Sequence, residues 1–448
     1  MPFTTPPFIL FFVVFFLLYW LVPGRDLRVQ NMLILIGSYF FYAWGDPRFL
    51  FLLIGSSLLN YFLGILLYRS ASESRRRLLL GIGLLQGLGS LLFFKYFNSF
   101  LPLGLSFYTF KTMSYLLDIK RGKITPARDW VVFFSYVSFF PCIVSGPIDR
   151  PGALIPQLEK KREFRYEQAS DGMRQILWGI FKKVVIADNA AAFSGDIFNN
   201  YKTLPASALL YGAFLATIRI YADFSGYSDM AIGLARLLGF NVTRNFNYPF
   251  FARNIVDFWR RWHITLTSWM TDYVFTPLAI LLRDWGKAGI ILAVLITFTL
   301  IGLWHGPSWT FVVFGFLNGC YFIPLILRGS MNTIGKGIWI AGTFLLVMFT
   351  FVIFRSPTVG QALDYYRRMV SPSILSPFFI YEKINNAAML AAIVLMFAAE
   401  WLQRDKQHAL QLDAIRRFPV RALIYFGLIL IILTFGPTKN ADFIYLRF

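Results

Sequence analysis

The stretch IILAVLITFTLIGLWHGPSWTFVVFGFLNGCYFIPLIL, residues 290–327, contains no Asp, Glu, Lys or Arg. One histidine, His305, divides it into two apolar runs, Ile290 to Trp304 and Trp309 to Leu327. Each run approaches the roughly 20 residues that cross hydrocarbon as a helix. Working outward, the same pattern recurs in Phe8 to Val22, Phe49 to Tyr68, Ala206 to Tyr221, Ile264 to Leu282, Ile338 to Phe354, Ala387 to Trp401 and Ala422 to Phe435. Shorter or broken segments stand at Leu103 to Leu117 and Ile176 to Ala187. Of the 448 residues, 57% are hydrophobic and only 15% charged, where a soluble domain carries about a quarter charged. With a mean hydropathy of +0.58, such a chain cannot cover a water-facing surface. The sequence predicts an all-α polytopic membrane protein of about 11 transmembrane helices, with re-entrant segments around a central funnel or tunnel. It predicts a single transmembrane domain over residues 1–448.

Other features narrow the class. The first apolar run has no basic residue before it and meets Pro23-Gly24-Arg25 rather than a small-residue cleavage site, so it reads as a retained helix, not a signal peptide. The two cysteines, Cys142 and Cys320, lie in apolar stretches and build neither a disulfide framework nor a metal-ligand spacing. The formal net charge of +20 fits cytoplasmic loops enriched in Lys and Arg. No basic stretch forms an extended domain with aromatic stacking positions, which argues against nucleic acid.

Positive charge also gives an orientation. Arg25 and Arg28 follow the first span and Arg75, Arg76 and Arg77 follow the third, which puts both loops in the cytoplasm and the N-terminus outside. Lys120, Arg121, Lys123 and Arg128 make a third basic loop, and Lys160, Lys161, Arg162 and Arg165 a fourth. Both stay cytoplasmic if Phe133 to Pro147, which carries Pro141, Gly146 and Pro147, dips in and returns. Irregular backbone at that depth must be enclosed by protein or line a watery cavity. The alternative is a Pro-kinked complete span with one loop breaking the charge bias. No internal repeat is visible, which weakens a transporter reading.

Ionisable residues inside apolar segments are costly and point to function, and three places carry them. The first is His305 in Leu303-Trp304-His305-Gly306-Pro307. A buried neutral imidazole can act as a general base; it can equally bond a backbone carbonyl at the helix break before Pro307. The second is the block from Asn254 to Thr267. If it is helical, Asp257 lies one turn before Arg260 and Arg261 and can pair with a guanidinium beside aromatic rings. An interfacial helix anchored by Trp259, Trp262 and snorkelling arginines fits the same residues, while His263 brings a second histidine near membrane depth. The third is Tyr221 to Met230, with Asp223, Ser225 and Asp229. These carboxylates can neutralise arginines such as Arg219 and Arg253, or orient an imidazole.

Taken together, these blocks resemble the membrane-bound O-acyltransferase family, in its bacterial branch of alginate O-acetylation and teichoic acid D-alanyl transfer proteins. Further matching stretches are Phe40-Phe41-Tyr42-Ala43-Trp44, Leu101 to Phe110, Ser145-Gly146-Pro147-Ile148 through Leu158, and Phe443 to Phe448. The resemblance implies that His305 holds the signature catalytic position and His263 a second functional one. Trp304, Asp257, Arg260, Arg261, Asp223, Ser225 and Asn318 are expected beside them as supporting or tunnel-lining residues. No permanent cofactor or metal is implied. The donor would be an acyl thioester on the cytoplasmic side, acetyl-CoA or an acyl carrier protein phosphopantetheine. The acceptor would be a hydroxyl reached from the other face, with an extracytoplasmic acyltransferase or esterase-like partner and a polysaccharide as final acceptor. The chain would be a multi-pass protein of the inner membrane, moving acetyl or, alternatively, D-alanyl groups. One departure is Cys142, where that branch often has glutamine. The rival class is a transporter or flippase using the same residues as a proton relay; a scaffold would tolerate replacement of His305.

Overall fold

The computed structural model describes residues 1–21, 26–97, 100–329, 338–378, 383–412, 414–415 and 417–436. It is 78% helical and has no strand among the described residues, so the fold is all-α. Arg25 and the closing block Phe443 to Phe448 lie outside the described residues. Among the described residues, six helices are long and apolar enough to cross a membrane, with Pro6–Leu21 and Trp339–Arg355 as shorter apolar ones. Reaching the expected eleven means counting helices that are shorter or carry buried charge. The chain forms two compact units, Met1–Ile176 with Tyr227–Arg244, and Leu177–Gly226 with Asn245–Phe448.

In the first unit, Pro6–Leu21, Leu27–Ala43, Arg48–Arg69, Glu73–Leu92 and Leu105–Lys120 are successive helices. Asp26 starts the second by accepting the Arg28 and Val29 N–H groups. Trp130–Ser138 has nine residues and rises about 14 Å, under half of the roughly 30 Å hydrocarbon thickness. The helix breaks at Phe139, just before Pro141, and only the short turn Phe140–Ile143 follows. The segment is therefore a broken helix rather than one continuous kinked helix. Every residue from 131 to 149 is buried, and the break is satisfied from within the protein: the Phe140 N–H donates to Ser38 Oγ at 3.1 Å and Lys111 Nζ to the Tyr136 carbonyl at 3.1 Å. Cys142 directs its thiol at Asp149 Oδ2, 3.9 Å away. That carboxylate is held in turn by Thr243, from N at 2.9 Å and Oγ1 at 2.6 Å.

The expected boundaries shift in three further places. The segment anticipated at Ile176 to Ala187 belongs to an unbroken helical path, Tyr166–Ile180, a π-turn Phe181–Ala187, then Asp188–Asn199. The helix anticipated to end at Tyr221 runs on as Ala206–Leu237, 32 residues, or about 48 Å. Its carboxylates do not stop it, because each is met from within the protein, Asp223 by Lys183 and Asp229 by the Gln175 amide, which donates at 2.8 Å. The run Trp309 to Leu327 divides into Trp309–Cys320 and Ile323–Arg328, with the break before Pro324, whose ring disfavours a continuous helix. Along Phe418–Phe435 the only buried side chain is Leu428, while Leu423, Phe426, Leu430 and Leu433 are exposed. An apolar face of that size belongs against lipid.

Candidate active site

His305 is the last residue of Gly286–His305, and Trp309–Cys320 begins after a three-residue break that Ser308 closes by accepting the Thr310 N–H. The two helices touch through glycine. A methyl group on Gly302 would stand 2.2 Å from the Phe311 carbonyl oxygen, and one on Gly315 2.2 Å from that of Phe298. Small residues at a crossing let backbones approach where apolar burial gives no drive between helices. That contact, one turn from His305, fixes where the imidazole stands.

The His305 side of this hairpin is aromatic. Trp304 lies 4.8 Å away between ring centroids, Phe354 5.0 Å and edge-on, Phe311 6.0 Å and Phe314 6.2 Å. His305 is 5% exposed. The same Trp304 ring lies 6.1 Å from the ring of His263, so one indole neighbours both histidines.

His263 reaches this place by a backbone turn. It joins Ile255–Arg261 to Ile264–Met270 with φ 44° and ψ 51°, a left-handed conformation that costs a residue with a Cβ about 1–2 kcal/mol. Asn245 holds the turn. Its carbonyl accepts the Ile264 N–H at 2.8 Å. Its Oδ1 accepts from Thr265 Oγ1 at 2.9 Å and Thr265 N at 3.4 Å, and meets His263 Nδ1 at 3.0 Å. A backbone N–H can only donate, so the shared atom is the amide oxygen. His263 Nδ1 therefore carries the proton of the neutral ring, leaving Nε2 as its basic nitrogen. Phe224 packs edge-on against the other side of this imidazole at 4.7 Å.

The remaining expected residues separate into supports. Asp257 pairs with Arg261 at 2.7 Å and accepts the Arg253 N–H at 3.1 Å, bracing the short helix before His263; Arg260 is exposed. Trp259 and Trp262 are 5% and 3% exposed, which corrects the interfacial-belt alternative. Trp259 packs on Phe298 at 5.1 Å and donates to Asn318 Oδ1 at 3.3 Å; Asn318 donates in turn to the Phe314 carbonyl at 2.8 Å. Asn318 thus ties the His263 segment to the His305 hairpin.

The cation against Asp223 is one that composition did not single out. Lys183 Nζ stands 2.8 Å from Asp223 Oδ1 and 2.8 Å from Asp188 Oδ1. Its neighbour Lys182 donates to Ser225 Oγ at 2.9 Å and lies 3.9 Å from Glu400, which accepts the Tyr221 hydroxyl at 2.8 Å. Lys182, Lys183 and Glu400 were legible as charges inside apolar runs. Asn245 was not, since an asparagine between spans looks like any loop residue.

The descriptor of the membrane-bound O-acyltransferase family matches residues 129–330, which include every residue of the site above except Phe354 and Glu400. The chain is 35% identical over 403 residues to the probable alginate O-acetylase of Azotobacter vinelandii, covering 83% of this chain and 78% of that one. It is 32% identical over 424 residues to the peptidoglycan O-acetyltransferase of Helicobacter pylori, covering 82% and 79%. Against the teichoic acid D-alanyltransferase of Bacillus subtilis it is 26% identical over 273 residues, covering 56% and 67%. With two histidines converging on one tryptophan in an apolar helical core and relatives of this identity along most of its length, the chain belongs to the membrane-bound O-acyltransferase family.

Proposed function

We propose that this membrane-bound O-acyltransferase moves an acetyl group from a cytoplasmic thioester donor, acetyl-CoA or an acylated phosphopantetheine carrier, to a hydroxyl presented from the other face of the cytoplasmic membrane. The acceptor is an extracytoplasmic polysaccharide, or a partner protein that passes the group on to one. The observation that carries this reading is the placement of His305, buried at a helix end among aromatic rings and sharing Trp304 with His263. Acetyl is preferred to D-alanyl because the relatives named for O-acetylation match 82–83% of the chain and the D-alanyltransferase 56%.

In this mechanism neutral His305 accepts the hydroxyl proton while the hydroxyl oxygen attacks the thioester carbonyl, with about 3 Å between imidazole nitrogen and oxygen. The tetrahedral oxyanion collapses, the C–S bond breaks, and the leaving thiolate takes the proton back from His305. His263, with its basic Nε2 defined by Asn245, orients a reacting group or stabilises developing charge. Aromatic walls keep water from hydrolysing the thioester and strengthen each hydrogen bond in the site.

Protein reconstituted in lipid nanodiscs with labelled acetyl-CoA and an alginate oligosaccharide tests the reading. His305→Ala abolishes transfer while the protein stays folded; wild-type turnover in that variant ends the mechanism. His263→Ala loses at least about tenfold, within the range of a general acid–base group, and unchanged kinetics would leave it a structural residue.

A further inference from the structure

Among the described residues, His263 and Tyr248 are the two non-glycine positions with a left-handed backbone, and both stand at one short pairing of chain segments. The Asn245 carbonyl accepts the Ile264 N–H at 2.8 Å, and the Asn247 N–H donates to the Arg261 carbonyl at 2.9 Å. In a regular antiparallel pair, two such bonds bracket one residue on each side. Here Phe246 alone stands on one side, and Trp262 with His263 on the other. That two-against-one count is the pattern of a β-bulge, in a pairing too short to make strands. Bulges re-aim a side chain and are common beside active sites.

Phe246 fills the bracket. Its ring meets Trp262 edge-on at 5.1 Å, Phe224 at 5.0 Å and His263 at 6.4 Å. One end of the pairing is fixed by the Asn245 side chain through Thr265 and His263. The other end depends on Asn247, whose carbonyl also accepts from Arg261 Nη1 at 3.3 Å. Directly after it comes Tyr248, with φ 48° and ψ 59°. Two costs meet there. A residue with a Cβ is strained at positive φ, and a residue before proline, as Tyr248 is before Pro249, is pushed toward extended backbone. Tyr248 is 4% exposed, and its carbonyl accepts the Phe251 N–H at 3.2 Å, which starts the turn Pro249–Phe251. Strain of this kind persists only where the surroundings over-determine it, and it clusters at functional sites.

We propose that Tyr248 is a positioning residue for His263: its left-handed backbone keeps Asn247 against Arg261, closes the bulge, and so fixes the direction of the His263 imidazole. The effect on turnover rests on the acyltransferase reading above; the effect on the ring does not. With Tyr248 relaxed to extended backbone, the Asn247 N–H leaves the Arg261 carbonyl. Trp262 and His263 are then anchored at one end only, and the basic Nε2 no longer holds one direction.

The test compares Tyr248→Asn with Tyr248→Val in nanodisc protein. Both remove the ring and share whatever packing it supplies. They differ in backbone, since asparagine enters the left-handed region readily and a β-branched residue is an outlier there. The kcat for acetyl transfer is at least about tenfold lower in Tyr248→Val than in Tyr248→Asn, the loss expected of His263→Ala, with the KM for acetyl-CoA alike in both. Adding His263→Ala to Tyr248→Val costs nothing more, because aiming a ring has no effect once the ring is gone. Equal kcat values in the Asn and Val variants, or a full further loss in the double variant, overturn the proposal. Asn247→Pro keeps the buried Tyr248 ring and removes the N–H donated to Arg261; it behaves as Tyr248→Val does, and wild-type kcat in it overturns the proposal as well. A second arm needs no turnover. The chain has three histidines, so NMR of isotope-labelled histidine, with His263→Gln for assignment, reads the His263 tautomer. The proton stays on Nδ1 in wild type and Tyr248→Asn, and the tautomers mix in Tyr248→Val and Asn247→Pro. If wild type transfers no acetyl yet the tautomers behave this way, the acyltransferase reading fails and the positioning role stands; one unaltered tautomer in every protein overturns it.

Discussion

Replacing Gly302 by alanine is the sharpest way to ask whether the hairpin places the His305 imidazole for the proposed chemistry. The new methyl would stand 2.2 Å from the Phe311 carbonyl oxygen and 3.0 Å from its carbon. An ordinary C···O contact is about 3.3–3.6 Å, so the two helices must separate by about 1 Å at this crossing. Neither of those atoms is the end of a flexible side chain; both are backbone, and backbone cannot rotate away. His305 is one turn further along, and a displacement of that size costs a reaction about a hundredfold in rate. Overpacking itself costs about 1–3 kcal/mol. The expected outcome in labelled-acetyl transfer by nanodisc protein is therefore a kcat about a hundredfold lower, with the KM for acetyl-CoA little changed and a somewhat lower melting temperature. Gly81 is the control, being exposed with nothing within 4 Å of where a methyl would sit; alanine there is neutral or stabilising by about 0.5–1 kcal/mol. A Gly302→Ala protein with wild-type kcat would refute the claim that this crossing sets the site.

Asn245→Ala strips three donors of their acceptor and frees the left-handed turn at His263, so stability falls by about 1–3 kcal/mol and activity drops to the level of His263→Ala. Asn245→Asp, which keeps an accepting oxygen, retains more of both; equal activity in wild type and Asn245→Ala would sink the clamp. Lys183→Met leaves Asp188 and Asp223 without their shared ammonium, a loss of about 3–5 kcal/mol for a broken buried pair. Thermal melting in detergent reads it, adding Asp223→Asn recovers part of the loss, and an unaltered melting curve would show that the pair carries no load.

The apolar runs were legible because hydrocarbon imposes a length, and the segments around Ile290 to Trp304 and Phe49 to Tyr68 lie where composition placed them, as Gly286–His305 and Arg48–Arg69. Boundaries failed where tertiary pairing overrode composition. Asp223 and Ser225 look like the end of a span only until Lys182 and Lys183, about 40 residues earlier in the chain, are seen to meet them. His305 and His263 were legible as ionisable groups at membrane depth, but not their shared Trp304, since convergence between segments 42 residues apart leaves no mark in either one. Trp259 and Trp262 look the same in sequence whether they face lipid or core; Asn318 and Phe298 decide it for Trp259, Phe246 and Phe351 for Trp262.

The helical turn from Tyr221 to Ser225 shows why charge near a catalytic group is a poor guide to role. Asp223 and Ser225 engage consecutive lysines of one π-turn, while Phe224 between them faces the His263 ring and Tyr221 meets both Glu400 and the Trp262 ring, 6.1 Å away. The carboxylate therefore acts on the imidazole through the position of the helix, and the side chain in contact is a phenylalanine. Substituting Asp223 lowers activity by moving Phe224, and such a loss comes with a lower melting temperature. In the proposed mechanism, substituting His305 removes a proton acceptor from an intact scaffold, and the expected loss of activity comes without one. That difference in thermal behaviour separates the residues that do the chemistry from those that hold them in place.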